Sequence, residues 1–104
     1  MLAWLTANLE SDPSLDDLAE HLCVSPTWAS HLVRQMAGKP YTQVKDELRI
    51  ARAQELLSRT TLKMAVIAQR VGIRDVSYFS RFFRHKVGMP ATRYRHVHAV
   101  LPHA

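Results

Sequence analysis

The chain has 104 residues, enough for one small domain or for two very small subdomains sharing a core. Its 47% apolar content supports a packed interior and argues against disorder. No apolar run approaches the ~18–20 residues of a membrane span, and the start lacks the charged stretch and cleavage site of a signal peptide. With 14 Lys and Arg against 9 Asp and Glu, the net charge of +5 points to a polyanionic partner.

Residues 1–9 carry Leu2, Trp4, Leu5 and Leu9 and read as a short amphipathic helix that Ser11-Asp12-Pro13 breaks. Ser14 to Asp17 has the form of a capping box, with Asp17 in the place of the usual Glu or Gln. The helix it opens buries Leu15, Leu18, Ala19 and Leu22. A turn follows through Cys23-Val24. Cys23 is the only cysteine, so no intramolecular disulfide can form and a reducing, cytoplasmic compartment fits. Set between Leu22 and Val24, it reads as a small buried hydrophobe. Ser25-Pro26 is an N-cap with proline at the first helical position. The third helix runs to about Ala37 with Ala29, Leu32, Val33 and Met36 inward, and Gly38 ends it.

Residues 41–58 contain no Gly or Pro and form the longest helical segment, apolar on more than one side and therefore packed on two sides. Residues 63–71 form the next helix, with Lys63 in a weak cap position and Ile67, Ala68 and Val71 inward. The turn Gly72-Ile73-Arg74 is one residue longer than its counterpart. Asp75 caps a helix over 76–87 that buries Phe79, Phe83 and Val87, Gly88 closes it, and 91–97 form a last helix. Residues 98–104, including Pro102, are expected to fray. No strand pattern occurs. The fold class is all-α with about seven helices.

Residues 28–42 and 78–92 are two copies of one pattern. Five identities (Ser30/Ser80, Arg34/Arg84, Gly38/Gly88, Pro40/Pro90, Thr42/Thr92) keep step at an offset of fifty, where chance gives roughly one. Upstream, Leu18-Ala19-x-x-Leu22 matches Ile67-Ala68-x-x-Val71. Each copy is thus a helix, a turn and a second helix. The division is 1–40 for the first unit, 41–58 for the linker helix and 59–97 for the second unit. Charge is split as well: residues 1–38 hold one cation and five acids, whereas 39–104 hold thirteen cations and four acids. Nine of those thirteen are arginine, suited to forked contacts with phosphate and guanine edges.

A helix-turn-helix reads DNA when its second helix is apolar inward and bears short polar groups and Arg outward. In the first copy Thr27, Ser30, His31 and Arg34 fall outward; in the second, Val76, Ser77, Ser80, Arg81 and Arg84 do. Arg81 is the best single candidate for guanine readout.

The stretch Ile67-Ala-x-x-Val-Gly72-Ile-x-Asp75-x-Ser77-Tyr78-Phe79-Ser80-Arg81-x-Phe83-Arg84-x-x-x-Gly88, with Tyr94-Arg95 beyond it, resembles the signature of the AraC/XylS transcription regulators. Arg49-x-x-Arg52-Ala53-x-x-Leu56-Leu57 matches that family's linker helix, and the resemblance covers about residues 2–97. It implies a DNA-binding domain whose two helix-turn-helix units enter adjacent major-groove segments of double-stranded promoter DNA. By position it assigns base-facing roles to Thr27, Ser30, His31, Val76, Ser77, Ser80 and Arg81, and phosphate contacts to Arg34 and Arg84. It also implies contact with RNA polymerase. Because the family commonly places a separate effector domain before this one, any such domain lies outside this chain, which is either a naturally small member or, as expected here, a fragment of a longer regulator. The sequence departs from the family pattern at Ala29 (usually leucine), at Val33 (usually a bulky aromatic) and at Pro90-Ala91, where the proline is shifted by one place.

Six histidines raise a metal site, with His96, His98 and His103 as candidates, but no Cys or carboxylate lies near them in sequence, and none is assigned. No nucleophile–base spacing or phosphate loop suggests an enzyme, and no cofactor is implied. The rival readings are a basic helical module that docks an acidic protein, and an RNA binder. The latter is disfavoured because Trp28, Tyr41 and Tyr78 all have core explanations. Two readers on one monomer must lie about 34 Å apart. The central helix spans about 27 Å at ~1.5 Å per residue, and the half-widths of the flanking units supply the remainder. The expected site is asymmetric and close to ~20 base pairs, with some DNA bending.

Overall fold

The computed structural model describes residues 1–100, which form seven α-helices and no strand. They are α1 (Leu2–Ala7), α2 (Leu15–Leu22), α3 (Pro26–Ala37), α4 (Tyr41–Arg59), α5 (Met64–Arg70), α6 (Val76–Val87) and α7 (Ala91–His98), with a single 3-10 turn at Leu9–Ser11. The chain divides into two compact units, Met1–Leu48 and Arg49–Ala104. No described helix is long and apolar enough to cross a membrane.

In the first unit the helix expected over 1–9 stops early. The Asn8 side chain donates to the Trp4 carbonyl at 2.8 Å, offering the backbone a competing partner, and the chain continues as the 3-10 turn. The capping box forms as expected. Asp17 N–H donates to Ser14 Oγ at 3.1 Å and Ser14 N–H to the Asp17 carboxylate at 2.8 Å. Ser25 caps α3 by accepting from Trp28 N–H at 3.1 Å. Leu5, Leu18, Val33, Tyr41 and Val44 meet in one core. The Tyr41 hydroxyl donates to Pro13 O at 2.8 Å, and Lys45 donates to Pro13 O and the Asp12 carboxylate, so the loop before α2 is tied to α4. Met36, expected inward, is 70% exposed; with Ala29 and Val33 setting the buried face, position 36 falls at its margin near the end of the helix.

In the second unit Ala53, Leu56, Leu57, Ile67, Val71, Phe79 and Phe83 form a larger core. The apolar content of α4 is thereby explained. Its first half supplies Tyr41 and Val44 to one core and its second half Ala53, Leu56 and Leu57 to the other. Arg49 Nε donates to the Val71 carbonyl at 3.0 Å, satisfying a group left over at the end of α5. Asp75 caps α6 through Ser77 N–H at 2.9 Å, while Lys63 provides no side-chain cap for α5. Val87 is only partly buried. The fraying expected from residue 98 does not hold for 98–100. α7 runs to His98, Arg95 Nε donates to Leu57 O at 3.1 Å, and Val100 N–H donates to Ser58 O at 2.9 Å. Residues 101–104, with Pro102 and His103, lie outside the described residues.

Cys23 is exposed, against the expectation of a buried hydrophobe. It takes the left-handed conformation, φ 57°, that lets the chain leave α2. Gly72 does the same in the second unit at φ 87°. Both turns carry the same bonds, with Val24 N–H donating to Ala19 O and Ile73 N–H to Ala68 O. A side chain in this conformation costs roughly 1–2 kcal/mol, partly offset by the unfolded-state entropy of glycine. Cys23→Gly is therefore expected to raise stability by about 0.5–1 kcal/mol, read as a higher urea midpoint. A lower midpoint would mean that the thiol makes compensating contacts.

Candidate nucleic-acid interface

Each unit holds two helices joined by a short turn, three residues from α2 to α3 and five from α5 to α6. The inward positions of the second helix are Ala29 and Val33 in the first unit and Phe79 and Phe83 in the second, all fully buried. With those faces fixed, the helical period turns the intervening positions outward. Thr27, His31 and Arg34 are exposed on α3, with Ser30 half-buried beside them. Val76, Ser77, Ser80, Arg81 and Arg84 are exposed on α6. The structure thus groups each predicted set on one face of one helix.

Aromatic rings join both faces. Trp28 is 51% exposed and Tyr78 is 53% exposed, against the expectation that they serve the core. The Trp28 ring stacks on His31, centroids 5.1 Å apart, and Tyr78 stacks on Phe82 at 6.4 Å. The signal that could have found them is local. Residues 28 and 78 precede the buried positions 29 and 79, and one step of a helix turns a side chain by about 100°. Their exposure removes the core explanation of Trp28 and Tyr78 on which an RNA binder was disfavoured.

Electrostatics differ between the units. In Met1–Leu48 the acids Asp16, Asp17 and Glu20 lie exposed on α2, and two of the three cations are paired internally, Lys39 with Glu47 and Lys45 with Asp12. Arg34 remains exposed on the outward face. In Arg49–Ala104 the only acids are Glu55, paired with Arg52, and Asp75, engaged in capping. Among the described residues, Arg81 and Arg84 make no hydrogen bond or ion pair. The described residues contain no group of three side chains able to hold a metal.

This geometry defines a tandem helix-turn-helix protein, and a family model described as a helix-turn-helix domain matches residues 18–96. The chain belongs to that family, of AraC type. It is 35% identical over 86 residues to the arabinose operon regulatory protein of Escherichia coli K12, covering 83% of this chain and 30% of that one. It is 28% identical over 99 residues to the transcriptional activator RhaR of Escherichia coli, covering 95% of this chain and 35% of that one. The solved C-terminal domain of AraT, a response regulator from Geobacillus stearothermophilus, superposes with a TM-score of 0.89 at 30% identity, covering 98% of this chain and 85% of that one. The chain spans about a third of the length of the curated relatives it matches.

Proposed function

We propose that the chain binds double-stranded DNA sequence-specifically as the reading domain of a bacterial transcription regulator acting in the cytoplasm near promoters. The observation that carries this reading is the pair of second helices, each buried on its Ala29/Val33 or Phe79/Phe83 side and polar on the other. Thr27, Ser30 and His31 on α3, and Val76, Ser77, Ser80 and Arg81 on α6, face base edges. Arg34 and Arg84 contact phosphates. These two cations also sit in the last turn of their helices, where they complement the helix dipole.

Residues 1–40 and 59–97 act as two reading units and 41–58 as their link. Helix α4 runs unbroken for 19 residues, about 28 Å at ~1.5 Å per residue. One chain then covers close to ~20 base pairs, reading successive major-groove segments of a bent duplex. RNA polymerase and an effector domain encoded outside this chain are its further partners.

The test is binding to a fluorescent duplex across salt concentrations, with a single strand of the same sequence and an acidic protein as comparisons. Several released counterions should give a steep log–log slope for the duplex, close to −0.9 per phosphate neutralised. A duplex affinity no greater than that for the single strand or the acidic protein would reject the reading.

A further inference from the structure

We propose that the second unit contains a pocket for a compact amphipathic oxyanion, an oxyanion head on an apolar body about one ring in size, and that its occupancy excludes DNA. The second half of this proposal rests on the DNA-binding reading above; the first does not. A cavity of about 230 Å³, open to solvent, lies where α5 begins, α6 passes and α7 begins. Met64, Pro90 and Ala91 supply its apolar wall, and Ala91 is buried. Arg81 and Arg84 line it from α6, beside the hydroxyls of Ser80 and Thr92.

The charge in this cavity is unbalanced. Neither Glu55 nor Asp75 lines it, and among the described residues neither arginine has a partner. Helix α7 opens here on Pro90 with no side-chain cap and no acid in its first turn, so its first amides add positive potential. Two guanidinium groups suit a forked oxyanion contact. A DNA phosphate contact needs a surface but no depth. The apolar wall that lines the same cavity as the arginines is what a ligand with a hydrophobic body would fill, since pockets of this kind combine apolar walls with a few placed polar groups. Because Arg81 is also the proposed base reader, it cannot serve both partners at once.

The test uses phenyl phosphate on the 104-residue chain, followed by amide NMR at constant ionic strength. Inorganic phosphate supplies the head alone and benzyl alcohol the body alone. Phenyl phosphate should shift the Met64, Ala91 and Thr92 amides saturably, at least about tenfold more tightly than either fragment, a gain of about 1.4 kcal/mol. Thr92→Trp should fill the cavity and abolish those shifts, and Arg84→Gln should weaken them, with spectra elsewhere unchanged to show that both variants fold. Inorganic phosphate binding as tightly as phenyl phosphate, or no saturable shift, would overturn the pocket. In a separate duplex titration, phenyl phosphate at twice its own dissociation constant should raise the apparent Kd of the duplex about threefold. A duplex Kd unchanged by bound phenyl phosphate would overturn the exclusion. A chain that bound phenyl phosphate but no duplex at all would fail the DNA reading while sustaining the pocket.

Discussion

Replacing Phe83 with alanine is expected to cost about 3–5 kcal/mol, a large share of the roughly 5–15 kcal/mol that holds a small domain together. Phe83 is fully buried in the second unit, with the Phe79 ring 6.0 Å away and Tyr94 meeting it edge-on at 5.6 Å. Truncation removes the ring that both contacts depend on and leaves a void that α5, α6 and α7 must collapse around. Val33, its counterpart at an offset of fifty, is just as buried, but Val33→Ala removes less volume and should cost about 1–2 kcal/mol less. Urea unfolding of the two variants checks the order. If Phe83→Ala proved the milder change, the packing of α6 described above would be wrong, and its outward face with it.

The second large effect concerns recognition. Arg81→Ala is expected to cost about 1–3 kcal/mol against the preferred duplex and to relax preference at one or two base pairs. Arg84→Ala should weaken binding to all duplexes by a similar factor and make the salt slope shallower by about one. Both side chains are exposed on α6 and one helical turn apart, so neither substitution opens a core cavity and the losses report on the partner. Equal loss of specificity from both variants would contradict this division of roles.

What the sequence made legible follows from the range of the interactions involved. Caps are local: Ser14, Ser25 and Asp75 accept from backbone amides two or three residues away, and each was readable from residue type and spacing. The buried pair Phe79 and Phe83 followed from helical period alone. Three kinds of feature did not. The exposure of Cys23 depends on a left-handed φ that residue type would not suggest, although Gly72 at the matching turn position carried the hint. The fate of Met36, Trp28 and Tyr78 depends on a shift of the apolar stripe by one position, which single hydrophobic residues cannot settle. The ordering of residues 99–100 and the role of Arg49 rest on carbonyls far away in sequence, Ser58 and Val71. The outward faces were legible because the repeat showed the same arrangement twice.

Under the proposed function, one chain reads two segments of one duplex. A hydroxyl-radical footprint on a duplex selected by this chain from a random library tests it most directly. Two protected patches are expected on one face of the DNA, about one helical turn apart, within an asymmetric site close to ~20 base pairs. A single protected patch confined to one groove segment would contradict it.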